Sequence, residues 1–232
     1  MTLQSLIKGW FGEVQGTLAK KIFLDGEIYK DVNNVTIQTK NGTTQVDHVI
    51  VSKFGIFVVE TKNMDGWIFG DEQSHQWTQS MFGKKYRFQN PLHQNYRHTK
   101  ALAEFLEIDH EKLFSMVMFW GDAEFKTPMP ENVMNRGYTS YIKRHQDVLF
   151  TDDEVEQIVT AIKTGMLPKS WATRRKHVGS LKERFSSTQI CPRCGSSLVL
   201  RTAKSGQNAG SQFHGCSKFP SCRYVAKIEP VS

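Results

Sequence analysis

The 232-residue chain predicts a mixed α/β domain followed by a small cysteine-rich module. Three observations carry this. Apolar spacing switches between helical recurrence and strict alternation, in the order helix, strands, helix, strands, helix, which calls for a mixed sheet layered with helices. All four cysteines lie between residues 191 and 222. The net charge of +7 is uneven: residues 169–232 hold twelve Lys or Arg against Glu183 and Glu229, a balance of +10, which leaves −3 for residues 1–168.

Leu3, Leu6, Ile7, Trp10, Val14, Leu18 and Ile22 recur on one helical face, with Glu13 on its flank one turn from Trp10. "NVTIQTKNGTTQVDHVIV" alternates, turns at Asn41-Gly42 and alternates again, a hairpin signature. "SKFG" reverses the chain into a third strand, "IFVVETKN", and "GWIFGDEQSHQWTQ" supplies one or two more. Asn90-Pro91 caps a helix that carries Leu92, Tyr96, Leu102 and Leu106 along one side. "LFSMVMFWG" and "YTSYIK" are expected as later strands. Thr151 with Glu154 forms a capping box ahead of Val155, Ile158, Val159 and Ile162, and Gly165 stops that helix.

From these features we divide the chain into a domain over 1–167, a basic linker with a short helix over 168–189, and a cysteine module over 190–232. The apolar runs are too short to span a bilayer, and Lys8 and Glu13 break the opening segment, so a cytoplasmic location is expected. The basic excess after Pro168 is the electrostatic footprint of a polyanion partner, because neutralising phosphates releases condensed counterions.

"CPRCG" and "CSKFPSC" place Cys191, Cys194, Cys216 and Cys222 with two, twenty-one and five residues between them. Two tight knuckles separated by a hairpin bring four thiolates into a tetrahedron, so structural Zn²⁺ is expected; His214 is not needed as a ligand. Two disulfides of a secreted protein are the other reading, and the expected compartment disfavours it.

The remaining chemistry lies in "QVDHVIVSKFGIFVVETK". Side chains alternate along a strand, so Glu60 and Lys62 share a face. If "SKFG" is a four-residue reversal, Val51 pairs with Ile56 and Asp47 stands opposite Glu60, about 5 Å away. Two carboxylates so placed repel unless a cation lies between them, and Mg²⁺ or Mn²⁺ fits such hard oxygen donors. Lys62 on the same face can address a metal-bound water and a phosphate. An ordinary salt-bridged strand is the other reading of the same residues. His48, His75, His93 and His98 have no ligand spacing and read as surface or core residues.

Two resemblances sharpen this. "CPRCGSSLVLR", "FHGCSKFPSCRY" and the final "AKI" resemble the carboxy-terminal zinc ribbon of bacterial type I topoisomerases over about 190–228. That resemblance implies binding to single-stranded DNA, and the partner expected of the whole chain is single-stranded or branched DNA. Phe213, Phe219 and Tyr224 would then be stacking platforms, with Arg193, Arg201, Lys218 and Arg223 along the backbone. "GEVQGT", the hairpin above, "GWIFG", "QWTQ" and "NPLHQNYRHTKAL" together resemble the nuclease-related domain (NERD), a branch of the PD-(D/E)xK nucleases, over about 10–125. It implies a restriction-endonuclease-like mixed sheet flanked by helices. By the same resemblance, Glu13 matches the first-helix acid, Asp47 the metal-binding Asp, Glu60 and Lys62 the ExK pair, and Gln94 the polar position after "NP". Val46 stands where the superfamily has Pro. A helical count alone sets Gln94 opposite the Leu92/Tyr96 face. The expected activity is metal-dependent DNA hydrolysis; a catalytically silent DNA-binding adaptor and an RNA-directed nuclease are the rivals.

Overall fold

The computed structural model describes residues 24–186, 189–194, 196–220 and 222–228. The helix expected over 3–22, with Glu13, lies outside them. The chain divides into two compact units, one holding residues to Ile37 and Thr44–Pro168, the other Gln38–Thr43 and Lys169 onward.

In the first unit, β1 (Lys30–Thr39) and β2 (Gly42–Ser52) form the expected hairpin, and β3 (Gly55–Asn63) follows it. Val51 faces Ile56, and antiparallel pairing runs to His48 opposite Val59, the register that the four-residue reversal requires. Gly55 makes the reversal possible: its φ is +131°, and a Cβ there would lie 2.4 Å from the Phe114 ring. β3 then pairs in parallel with β7 (Leu113–Trp120), and β7 with β9 (Val133–Met134), giving a mixed sheet of order β1-β2-β3-β7-β9. A parallel neighbour needs a crossover. Here α1 (Pro91–Leu106) lies in the connection, with Asn90 Oδ1 accepting from Leu92 N at 2.9 Å.

A second sheet, of order β6-β5-β4-β8, is built from β4 (Gly66–Phe69), β5 (Gln76–Met81), β6 (Lys84–Gln89) and β8 (Ala123–Phe125). β6 was not legible in the sequence because it is a largely exposed edge, "KKYRFQ", with no apolar face to alternate. Gly70 lies flat on the buried Trp77, where a Cβ would come within 2.2 Å of the indole. Trp77 in turn stacks on Phe119, centroids 6.1 Å apart.

"YTSYIK" is a helix, α2 (Tyr138–Lys143), not a strand. Tyr138 and Ile142 are buried four residues apart, a spacing that fits both a period of two and a period of 3.6. α3 (Asp152–Gly165) has the full Thr151–Glu154 capping box and buries Val155, Ile158, Val159 and Ile162 as expected. These pack with Val35, Ile37, Val49, Val51, Val58 and Leu102 into the largest core cluster. Ile50, Phe57, Val59, Met116 and Met118 join Tyr138 and Ile142 in a second cluster.

In the second unit, most of the basic segment expected as a linker is helical, α4 (Trp171–Ser186). β10 (Leu198–Thr202), β11 (Gln212–Cys216) and β12 (Val225–Lys227) form an antiparallel sheet with β11 central. Among the described residues no helix is long and apolar enough to cross a membrane.

Candidate functional site

One step beyond the His48–Val59 pair, Asp47 comes opposite Glu60, and its side chain takes over from the ladder. Thr61 donates from its backbone N and its Oγ1 to Asp47 Oδ2, at 2.9 and 2.7 Å. Glu60 is only 3% exposed. Lys62 Nζ, on the same strand face, donates to Glu60 Oε1 at 2.6 Å and to Gln94 Oε1 at 3.0 Å. Lys62 therefore joins Glu60 to Gln94, and Asp47 lies within electrostatic reach of Glu60 and Lys62.

The position of Gln94 follows from how α1 packs. The stripe expected to be buried, Leu92, Tyr96, Leu102 and Leu106, is fully buried only at Leu102. Polar residues His93, Asn95, Arg97, His98 and Thr99 are buried instead, and of these Asn95 and His98 reach the sheet. Asn95 Nδ2 lies 2.8 Å from Val58 O, 2.9 Å from Ser115 Oγ and 2.8 Å from Met116 O, pinning the helix to both β3 and β7.

His98, which spacing alone gave no role, belongs to this group. Its Nδ1 lies 2.6 Å from Thr44 Oγ1 and its Nε2 3.4 Å from Glu60 Oε2, the latter without full hydrogen-bond alignment. Burial lowers the pKa of His98 against the opposing pull of Glu60. A neutral ring facing a carboxylate carries its proton on Nε2, so Nδ1 accepts from the Thr44 hydroxyl. The available signal was Gln94, Asn95 and His98 at i, i+1 and i+4, a polar patch on one face of a helix assumed to be apolar there.

The two carboxylates titrate in opposite directions. Burial, then the charge of Glu60, raises Asp47 to about 6, against the Thr61 hydrogen bonds and Lys62. Burial also opposes ionisation of Glu60, but Lys62 and His98 together outweigh it and hold that carboxyl at about 2. Glu60 is thus a permanent anion, and Asp47 is a carboxylate whose ionisation a cation would favour. The donor set, two oxygen acids beside an ammonium, suits Mg²⁺ or Mn²⁺.

In the second unit, the Sγ atoms of Cys191, Cys194, Cys216 and Cys222 all lie within 4.8 Å of one another, the one cluster of three or more metal-ligating side chains among the described residues. Cys191 and Cys222 are 3.8 Å apart and Cys194 and Cys216 3.4 Å, close to the roughly 3.8 Å edge of a tetrahedron with 2.3 Å Zn–S bonds. Hydrogen bonds from Cys191 and Cys222 lower the pKa of Cys194, while burial pushes Cys216 up to about 12. Four thiolates in one place need a dication, and Zn²⁺ supplies it.

Of the residues expected along nucleic acid, Lys218, Phe219 and Arg223 are exposed, Phe219 by 57%. Arg193, Arg201 and Phe213 are half-buried. Arg201 donates to Cys216 O at 3.2 Å and places its guanidinium 5.6 Å from the Phe219 centroid. Tyr224 packs against the cysteine cluster.

A family model described as the nuclease-related domain matches residues 8–120. The chain is a member of the NERD family. A second model, the topoisomerase DNA binding C4 zinc finger, matches residues 188–231, so this NERD protein joins a nuclease-related domain to a zinc finger of the DNA-binding type. The NERD chain is similar to the uncharacterized protein pXO1-01 of Bacillus anthracis, 37% identical over 186 residues that cover 76% of this chain and 86% of the relative. It is also similar, over 43 residues, to the uncharacterized protein YrdD of Escherichia coli, at 40% identity, covering 18% of this chain and 21% of that protein. No solved structure matches it.

Proposed function

We propose that the protein is a metal-dependent DNA nuclease: residues 1–167 hydrolyse phosphodiester bonds, and the zinc ribbon, over 190–232, holds single-stranded or branched DNA. The observation that carries this is Lys62 joined to both Glu60 and Gln94, with Asp47, held by Thr61, within electrostatic reach of Glu60. Asp47 and Glu60, with Glu13 by family resemblance, would hold Mg²⁺ or Mn²⁺. Such an ion lowers the pKa of bound water and stabilises charge on a phosphodiester. Lys62 offers an ammonium to a phosphate oxygen or to the attacking water, and Gln94 fixes where that ammonium points. Glu60 itself stays ionised down to about pH 2. The cytoplasm is the proposed location.

The test is a cleavage time course on plasmid, single-stranded DNA and matched RNA with Mg²⁺ or Mn²⁺, comparing intact protein with Glu60→Ala and Lys62→Ala. Loss in both variants of at least about 100-fold in rate, with zinc content retained, is expected. No cleavage of any DNA by intact protein would overturn the catalytic reading.

One observation favours a second reading. The Lys62 ammonium already balances the charge of Glu60, and the His98 ring faces its other oxygen, as they would in a DNA-binding adaptor whose nuclease-like domain is silent. Intact protein that binds DNA in Ca²⁺ and leaves it whole in Mg²⁺ would select that reading.

A further inference from the structure

We propose that helix α4 is a nucleic-acid-binding element in its own right, with the Trp171 indole stacking on an unpaired base and Arg174 and Arg175 contacting the flanking phosphates. The inference rests on the DNA-binding part of the reading above and assigns a second contact surface to it.

The helix is turned the wrong way for an ordinary amphipathic helix. At 100° per residue, Arg174, Val178, Trp171 and Arg175 share one face, and all four are exposed, Trp171 by 74% and Val178 by 43%. The shielded face carries Thr173, His177 and Ser180, the last only 8% exposed. The large apolar side chain is therefore outside and the small polar ones are inside. The Arg175 guanidinium lies 5.3 Å from the ring centroid of this exposed indole and sets a cation against its π-face. The same pairing of arginine with an exposed aromatic occurs at Arg201 and Phe219 in the zinc ribbon.

Charge selects the occupant. From Lys169 to Ser186 the sequence carries Lys169, Arg174, Arg175, Lys176, Lys182 and Arg184 against Glu183 alone. A polyanion with exposed π-faces matches an aromatic set among cations, which is the chemistry of a single-stranded nucleic acid. A duplex offers the charge without a free base face.

The experiment uses the full chain, with Ca²⁺ replacing Mg²⁺ so that the strand stays whole. Anisotropy of a labelled oligo-dT strand and of a blunt duplex is followed over a salt series. Trp171→Ala is expected to weaken oligo-dT binding about tenfold with the salt slope kept, and Trp171→Phe to restore most of it. Arg174→Ala with Arg175→Ala is expected to flatten the slope by about 1.4. Unchanged zinc content and helicity in each variant rule out misfolding as the cause.

Oligo-dT affinity within twofold of the intact chain in Trp171→Ala overturns the proposal, even if cleavage in Mg²⁺ persists. Self-association of the intact chain that Trp171→Ala abolishes, with oligo-dT binding unaffected, also overturns it, since the occupant is then a second copy. Trp171-dependent binding without any cleavage supports the helix while removing the nuclease.

Discussion

Lowering the pH should weaken cation binding at the hairpin through Asp47, by an amount that the structure sets. The Asp47 carboxyl is raised from 3.8 to about 6 by burial and by Glu60, while Glu60 stays ionised to about 2. Because the folded value of Asp47 lies above its ordinary one, the metal-free protein holds this proton up to about pH 6. A cation must displace it below that point and meets a ready anion above it. Affinity therefore falls by a factor of about 1 + 10^(6 − pH): near one at pH 7.5, and about elevenfold at pH 5.0. Burial lowers the pKa of His98, which disfavours its charged form. Calorimetric titration with Mn²⁺ in two buffers of different ionisation enthalpy reads the affinity and the protons released together. About 0.9 proton per cation is expected at pH 5.0 and almost none at pH 7.5. Asp47→Asn should bind more weakly and lose the dependence. Equal affinity at both pH values, or the same proton release from Asp47→Asn, would refute the reasoning.

Three further outcomes follow from the same contacts. His98→Ala should weaken Mn²⁺ binding by about 10- to 100-fold by freeing the Glu60 carboxylate, and His98→Gln, which keeps an N–H donor, should recover part of it; calorimetry decides. Asn95→Ala leaves acceptors on both β3 and β7 without their amide partner, so urea unfolding should show a loss of about 2 kcal/mol. Removing zinc should unfold the β10–β12 sheet, whose apolar core is little more than the cysteines themselves. A thiol reagent should then titrate all four cysteines rapidly, whereas the zinc-loaded chain should react slowly.

The parts legible in the sequence were those set by local rules. The hairpin register followed from a four-residue turn and period-two alternation, which fixed Asp47 against Glu60. The caps at Asn90 and Thr151 followed from side chains that satisfy helix N–H groups. Spacing likewise gathered the four cysteines. Features set by tertiary contact were not legible. Periodicity gives α1 an apolar stripe, but the helix packs over polar and charged groups of β2 and β3, where burial rewards hydrogen-bonding partners; hence spacing gives His98 and Asn95 no role, and the helical count sets Gln94 away from the site. Alternation reads α2 as a strand because Tyr138 and Ile142 satisfy two periods at once. β6 gave no signal because an edge strand has little to bury.

Every described side chain at the hairpin site, from Thr44 to His98, comes from one run of sequence, two strands and the first turns of the helix that follows. Among the described residues, no side chain after His98 joins the group. What lies after that run, the basic helix and the cysteine module included, can therefore be exchanged without removing a described side chain from the hairpin group.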